Sequence, residues 1–168
     1  NLDGADLTDA TAARACFDGA ALTRTTGARL RAPGASFARA ELEEAKLPGA
    51  DLAGASFPDT HLGLACLDEA VLTGAYFDRA ELEEAWLERA RGAKVRFIDA
   101  DLSGAHMSEA TLTGADFTGA KCRGTDLRRA RLQRSKVHRV SFAGANLDGA
   151  DLSHCDVRRV ELIGASLD

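Results

Sequence analysis

Bulky ring systems and flexible fillers are scarce in this 168-residue chain: it has one Trp, one Tyr, one Met and three Pro. Ala and Leu dominate instead, so the core is not assembled in the ordinary globular way. No apolar run is long enough to cross a bilayer, and no basic n-region leads into an apolar h-region, which excludes a membrane span and a secretory signal within these residues. The four cysteines, Cys16, Cys66, Cys122 and Cys155, form no CxxC pair, so neither a zinc site nor a redox couple is indicated. A reducing, cytoplasmic setting is the expectation. Neither a Ser–His–Asp set nor a glycine-rich phosphate loop is present.

Charge is uneven along the chain. The net value is −5. Residues 1–60 contribute 6 basic and 9 acidic side chains (−3), residues 61–120 contribute 5 and 11 (−6), and residues 121–168 contribute 10 and 6 (+4). Such polarity speaks to partners and not to fold.

What the sequence has in abundance is a period of five. Of the 34 residues taken every fifth from Leu2 to Leu167, 30 are Leu, Phe, Met, Val or Cys, and all seven Phe fall among them. Of the 33 taken every fifth from Ala5 to Ala165, 24 are Ala. The other three columns are polar, charged or Gly. Five matches neither a helix nor a strand period. It matches a chain that turns a corner every five residues, sending one large and one small apolar side chain inward. Four such units close a square coil of twenty residues, and coils stack at about 4.8 Å through backbone hydrogen bonds. Phe17, Phe37, Phe57, Phe77, Phe97 and Phe117 recur at twenty residues, followed by Val137 and Val157, which predicts a stacked aromatic column on one wall. The small column follows from the narrow axis, where four converging chains leave no room for a second Leu.

Units such as Ala5-Asp6-Leu7-Thr8-Asp9, Ala50-Asp51-Leu52-Ala53-Gly54, Ala145-Asn146-Leu147-Asp148-Gly149 and Ala150-Asp151-Leu152-Ser153-His154 resemble the A(D/N)LxX repeats of pentapeptide repeat proteins. The resemblance covers essentially the whole chain. It implies an all-β fold, a right-handed quadrilateral β-helix of about eight coils, here a single domain over residues 1–168. The family includes DNA-mimicking protectors of gyrase, secreted effectors and many proteins of unknown role. A secreted effector therefore stays open beside the cytoplasmic expectation. The chain starts at Asn1 without Met and stops mid-repeat at Asp168, so it is expected to be a fragment of a longer polypeptide.

Two segments break the pattern. In Thr25–Gly34, Gly27 stands at a large site, Leu30 at a small one and Ala32 at a large one. In Ala90–Phe97, Gly92 stands at a large site and Val95 at a small one. An inserted, partner-gripping loop is one reading. A local bulge is the favoured one, because the Phe ladder resumes on time. Gly92 is expected to leave a soft gap between Leu72 and Leu112.

Two outward features are candidate contact surfaces. The first is an acidic wall of Glu41, Glu43, Glu44, His61, Glu81, Glu83, Glu84 and Asp101. Paired carboxylates serve acid–base or metal chemistry only where a cleft excludes water. A flat convex wall is expected here, and hence a solvated face or an acidic contact surface. His61 should lie between Glu41 and Glu81 and titrate high. The second is a basic belt of Lys121, Arg123, Arg128, Arg129, Arg131, Arg134, Lys136 and Arg139, with Asp126 the only acid among them and Arg158 and Arg159 one coil on. The belt circles the rod without interleaved outward aromatics, so salt-bridging to an acidic partner or to a further domain is preferred to nucleic-acid binding. The histidines His61, His106, His138 and His154 fall on four walls and cannot share a metal. Cys16 and Cys66 should point outward, Cys122 and Cys155 inward.

These features favour a rigid protein-interaction module with no catalytic residues, cofactor, metal or membrane association. The runner-up is a DNA mimic that binds and protects a type II topoisomerase such as gyrase, and an enzyme is a distant third. The gyrase-protecting branch tends to dimerise through a C-terminal helix and to carry projecting loops, and neither is legible here. The rod ends, at Leu2 and Leu167, are bare sheet edges that invite end-to-end association.

Overall fold

The computed structural model describes residues 1–168 as one rod with no helix. Each five-residue unit reads bridge, large inward residue, two turn residues, small inward residue. Every bridge is parallel and joins residues twenty apart, as in Asp6↔Thr26↔Lys46↔Cys66↔Trp86↔His106↔Asp126↔Asn146 up one wall. Only β1 (Lys136–His138) and β2 (Asp156–Arg158) lengthen into formal strands, paired in parallel.

Four hydrogen bonds in a regular unit explain why the coil repeats, one of them from the second turn residue, as in Leu64 N–H to the Glu83 carbonyl at 3.0 Å. Leu62 N–H donates to the carbonyl of Glu81 at 2.7 Å, Glu81 N–H to that of Thr60 at 2.9 Å, and Ala65 N–H closes its own corner on Leu62 at 3.0 Å. The pattern satisfies the buried backbone that four converging walls create. The second turn residue of most units is left-handed: Gly54 has φ 65°, but Glu44 at 55° and nineteen other non-glycine residues do the same. Leu64, at φ 58°, is the one apolar side chain among those twenty.

Inside, the aromatic column is present as predicted. Successive rings from Phe17 to Phe117 stack with centroids 4.7–5.3 Å apart and planes within 19°. Phe57, Phe77 and Phe97 are wholly buried, as is the Ala column beside them. Where the small column turns polar, the side chain caps the preceding coil. Thr60 Oγ1 donates to the Phe37 carbonyl at 2.7 Å and Thr125 Oγ1 to that of Leu102 at 2.8 Å. Thr25, Ser135 and Cys155 make the same contact, so every side-chain donor in this column has an acceptor.

The two irregular segments are neither loops nor bulges. Their bridges keep the twenty-residue step on both sides, as in Thr26↔Lys46 and Arg91↔Thr111, and no residue is inserted. The core is repacked instead. A Cβ at Gly27 would lie 2.7 Å from Leu47 Cδ2, because Leu30 and Leu47 have taken that space. A Cβ at Gly92 would lie 2.6 Å from Val95 Cγ2, so the expected gap between Leu72 and Leu112 is filled by Val95, itself wholly buried. Filling it has a local effect. The corner bond onto the large residue's carbonyl is missing at Val95, and also at Thr60, Val140 and Val160. All four are β-branched, and at Thr125 the bond is stretched to 3.4 Å. A second branch on Cβ is stiff and crowds the narrow inner corner, and the corner opens at all three valines and at Thr60, although Thr25 closes its own at 3.1 Å.

No helix of the molecule is long and apolar enough to cross a membrane. At the C-terminal end Val157, Leu162 and Leu167 are about half exposed (56%, 45% and 56%) and surround a small apolar hollow.

Candidate interaction surface

The square coil places the acidic residues by arithmetic. Glu41, His61, Glu81, Asp101 and Lys121 occupy one ladder of bridged residues. Glu43, Gly63 and Glu83 stand two residues on, and Glu44, Leu64 and Glu84 form the adjoining corner, where all three are left-handed. All eight predicted wall residues therefore share one face, with carboxylates repeating every second coil.

His61 lies where the sequence puts it. Its Nδ1 is 2.8 Å from Glu41 Oε2 and its Nε2 is 3.5 Å from Glu81 Oε2. The bond to Glu41 holds its pKa above the ordinary imidazole value, with the charge of Glu81 adding to this and partial burial opposing it. Asp101 is pushed up by partial burial, but Lys121 Nζ at 2.8 Å and the Ser103 amide outweigh burial and leave its pKa lowered. Glu83 has no such cation, and burial raises its pKa. Glu44 is neutralised by a two-pronged pair with Arg24, at 2.9 and 3.0 Å. Glu43, Glu83 and Glu84 have no cationic partner, so they are the wall's free charges.

The wall is not flat, contrary to the sequence expectation. Gly63 carries no side chain between Glu43 and Glu83, and a depression of about 420 Å³ opens over it, bordered by His61 and Leu64. Across the Leu64 ridge lies a second depression of about 420 Å³, lined by Pro48, Cys66 and Trp86. Leu64 is 51% and Trp86 41% exposed. Trp86 stacks on His106 with ring centroids 4.0 Å apart. Sequence reading passed over Gly63, Leu64 and Trp86, although the two apolar residues in outward columns were a usable signal. Both depressions are open to solvent, with Glu83 the carboxylate of their lining whose pKa burial raises.

The basic belt is not gathered into one site. Lys121 and Arg123 share the acidic wall, Arg128 and Arg129 lie on the second, Arg131 and Arg134 on the third, Lys136 and Arg139 on the fourth. Lys121, Arg128 and Lys136 are paired with Asp101, Asp126 and Asp116. Arg123, Arg129, Arg131, Arg134 and Arg139 have no carboxylate within salt-bridge reach. No group of three His, Cys, Asp or Glu is arranged to hold a metal ion. The cysteines are all free; Cys16 and Cys66 face outward, and Cys122, wholly buried, has its thiol pushed up to about 12 by burial.

The model of pentapeptide repeats matches residues 1–26, 35–74, 65–91, 96–134 and 137–168, in eight copies. The chain belongs to the pentapeptide repeat family. Of the unmatched stretches 27–34, 92–95 and 135–136, the first two are the repacked segments. Among solved structures, the chain is similar to HetL, a pentapeptide repeat protein involved in heterocyst differentiation regulation from the cyanobacterium Nostoc sp. strain PCC 7120. The two share 28% identity over 98% of this chain and 90% of that one, with a TM-score of 0.54. It is also similar to two trypsin-treated forms of QnrB1, a plasmid-mediated fluoroquinolone resistance protein. These match at 20% and 18% identity, over 100% of this chain and 85% and 86% of those, with TM-scores of 0.59 and 0.62. The QnrB1 likeness establishes the fold alone, a right-handed quadrilateral β-helix. No curated protein sequence matches the chain significantly.

Proposed function

We propose that this pentapeptide repeat chain is a rigid, non-catalytic protein-interaction module of the cytoplasm, with the wall from Glu41 to Asp101 as its contact surface. The observation that carries the reading is the set of unpartnered carboxylates, Glu43, Glu83 and Glu84, held on a backbone that is hydrogen-bonded on both sides. Charges fixed in this way lose little freedom on binding and steer a cationic partner. The half-buried Leu2 at one end and the exposed Leu167 at the other make end-to-end pairing of copies a second mode of association.

The second reading is a DNA mimic directed at a type II topoisomerase such as gyrase. It is favoured by the 20 acidic against 11 basic side chains of residues 1–120, a net −9. Spread over six coils this is one charge per about 3 Å, roughly half the density of duplex DNA. The coil-to-coil pairs Arg24–Glu44, Arg29–Asp9 and Arg79–Asp59 interrupt it further, which is why this reading ranks second.

A supercoiling assay separates the two. The wild-type rod at micromolar levels is expected neither to inhibit the topoisomerase nor to protect it from drug. Protection by the wild type, abolished when Glu41, Glu43, Glu44, Glu81, Glu83 and Glu84 are changed to Lys, would reverse the ranking.

A further inference from the structure

We propose that the corner around Leu64 and Trp86 is a docking groove for a cationic polypeptide segment that presents one large apolar side chain. The proposal rests on the acidic wall being a contact surface and specifies the chemistry of what it contacts.

Three observations converge on this corner. First, Leu64 is left-handed, a conformation that disfavours a side chain by roughly 1–2 kcal/mol. The other corners of this kind use Gly or a polar or charged residue, whose side chain is at home in water. Leu64 sits there 51% exposed, so burial within the rod does little to offset its conformation. Second, the fold does not require Gly63. Its φ is not left-handed, and an added Cβ would meet only the Glu83 carbonyl oxygen, at 3.9 Å. Thr23 and Ser103 occupy the same column with side chains. The one thing gained from glycine here is the open depression beside Leu64. Third, Trp86, the only tryptophan, is 41% exposed yet held by its stack on His106. A pre-ordered, half-exposed Trp next to a vacant hollow is the usual make-up of a binding hot spot.

The charge of the rim identifies the occupant. Glu43, Glu83 and Glu84 border the Leu64 ridge without cationic partners, and besides His61, which is held by Glu41 and Glu81, Lys46 is the one basic side chain lining either depression. A neutral apolar ligand would leave three carboxylates to be desolvated with nothing in return. A segment of Lys and Arg around a Leu-like residue pairs the rim and seats its apolar side chain against Leu64 or Trp86.

Fluorescence of Trp86 provides the test, using two Trp-free twelve-residue peptides with the same Lys and Arg content. One carries a central Leu and the other a central Ala. The Leu peptide is expected to bind the full chain about tenfold more tightly than the Ala peptide, about 1.4 kcal/mol. Leu64→Ser should remove that advantage. Gly63→Glu is the decisive variant, because it adds a carboxylate yet fills the hollow; it should weaken the Leu peptide about tenfold. Circular dichroism confirms that both variants keep the fold. Equal binding of the two peptides, or tighter binding by Gly63→Glu, would reduce the corner to electrostatics and overturn the groove while leaving the acidic-wall reading standing. Failure of both peptides to bind at low salt would overturn both readings. A dimer in sedimentation that Leu64→Ser dissolves would make a second copy the occupant, and the proposal wrong.

Discussion

The wall that carries the aromatic ladder is built in two ways. Up to residue 120 it pairs a Phe with a small residue, as in Phe77 with Ala80 and Phe97 with Ala100. In the last two coils the pairs are Val137 with Val140 and Val157 with Val160. One large plus one small side chain has given way to two of middle size. Gly27 with Leu30 and Gly92 with Val95 carry the exchange further, to nothing plus one. In these pairs size lost at the large site is partly returned at the small one, although Ala12 with Ala15 and Ala32 with Ala35 show that the sum is not fixed. The exchange has a geometric consequence, because a valine at the inner site opens the corner. The Phe–Ala coils close theirs, whereas Val140 and Val160 do not.

That contrast can be broken most forcefully at the ladder. Phe77→Ala removes a ring stacked on both sides and should cost about 3–5 kcal/mol. Val137→Ala removes two methyl groups and should cost roughly 2 kcal/mol. Denaturant midpoints give the ranking, and a Phe77 variant no worse than the Val137 variant would show that the ladder is not the stiffer construction.

Next in size is a rebuilding experiment. Val137→Phe alone overpacks a pair already at its volume limit and should cost about 1–3 kcal/mol. Val137→Phe with Val140→Ala recreates the Phe–Ala pair and should recover most of that loss, a coupling measured by a double-mutant cycle. Additive losses would mean that the two sites are judged separately.

Hydrogen exchange examines the open corners directly. The amides of Val95 and Val140 should exchange about tenfold faster than those of Ala90 and Ala120, whose corner bonds are 3.1 and 2.9 Å. The weak spot near Gly92 is thereby narrowed to one residue, since Arg91, Gly92 and Lys94 keep their bonds between coils.

The smallest effect concerns charge, the other respect in which the two halves differ. NMR titration should find the His61 pKa raised, and Glu41→Gln should bring it back toward the ordinary value. Because the folded value lies above the unfolded one of about 6.5, the contacts to Glu41 and Glu81 stabilise the fold fully below that pH. Their contribution is lost as pH rises through the folded pKa.

How much of this was legible follows from the same geometry. The Phe ladder, the Ala column and the placement of His61 between two glutamates are properties of a fixed twenty-residue step, which a sequence displays openly. The segments around Gly27 and Gly92 misled because a column-by-column reading registers a missing large residue and overlooks its replacement three positions on. The depression was missed for a different reason. Gly63 was one of many glycines in the polar columns, and only its backbone conformation reveals that it occupies a site where glycine is not needed. Leu64 and Trp86 stood in polar columns and were visible in principle.

The step of twenty residues also has a mechanical side. Each coil is bonded only to the coils above and below it, so a pull along the axis acts on one ring of hydrogen bonds at a time. A coil that gives way releases twenty residues, which stretch to roughly 65–70 Å against a stacked height of about 4.8 Å. Under load such a rod pays out in near-equal increments from its ends. It behaves as a short spring that holds its length until a ring fails and then lengthens more than tenfold, one turn after another.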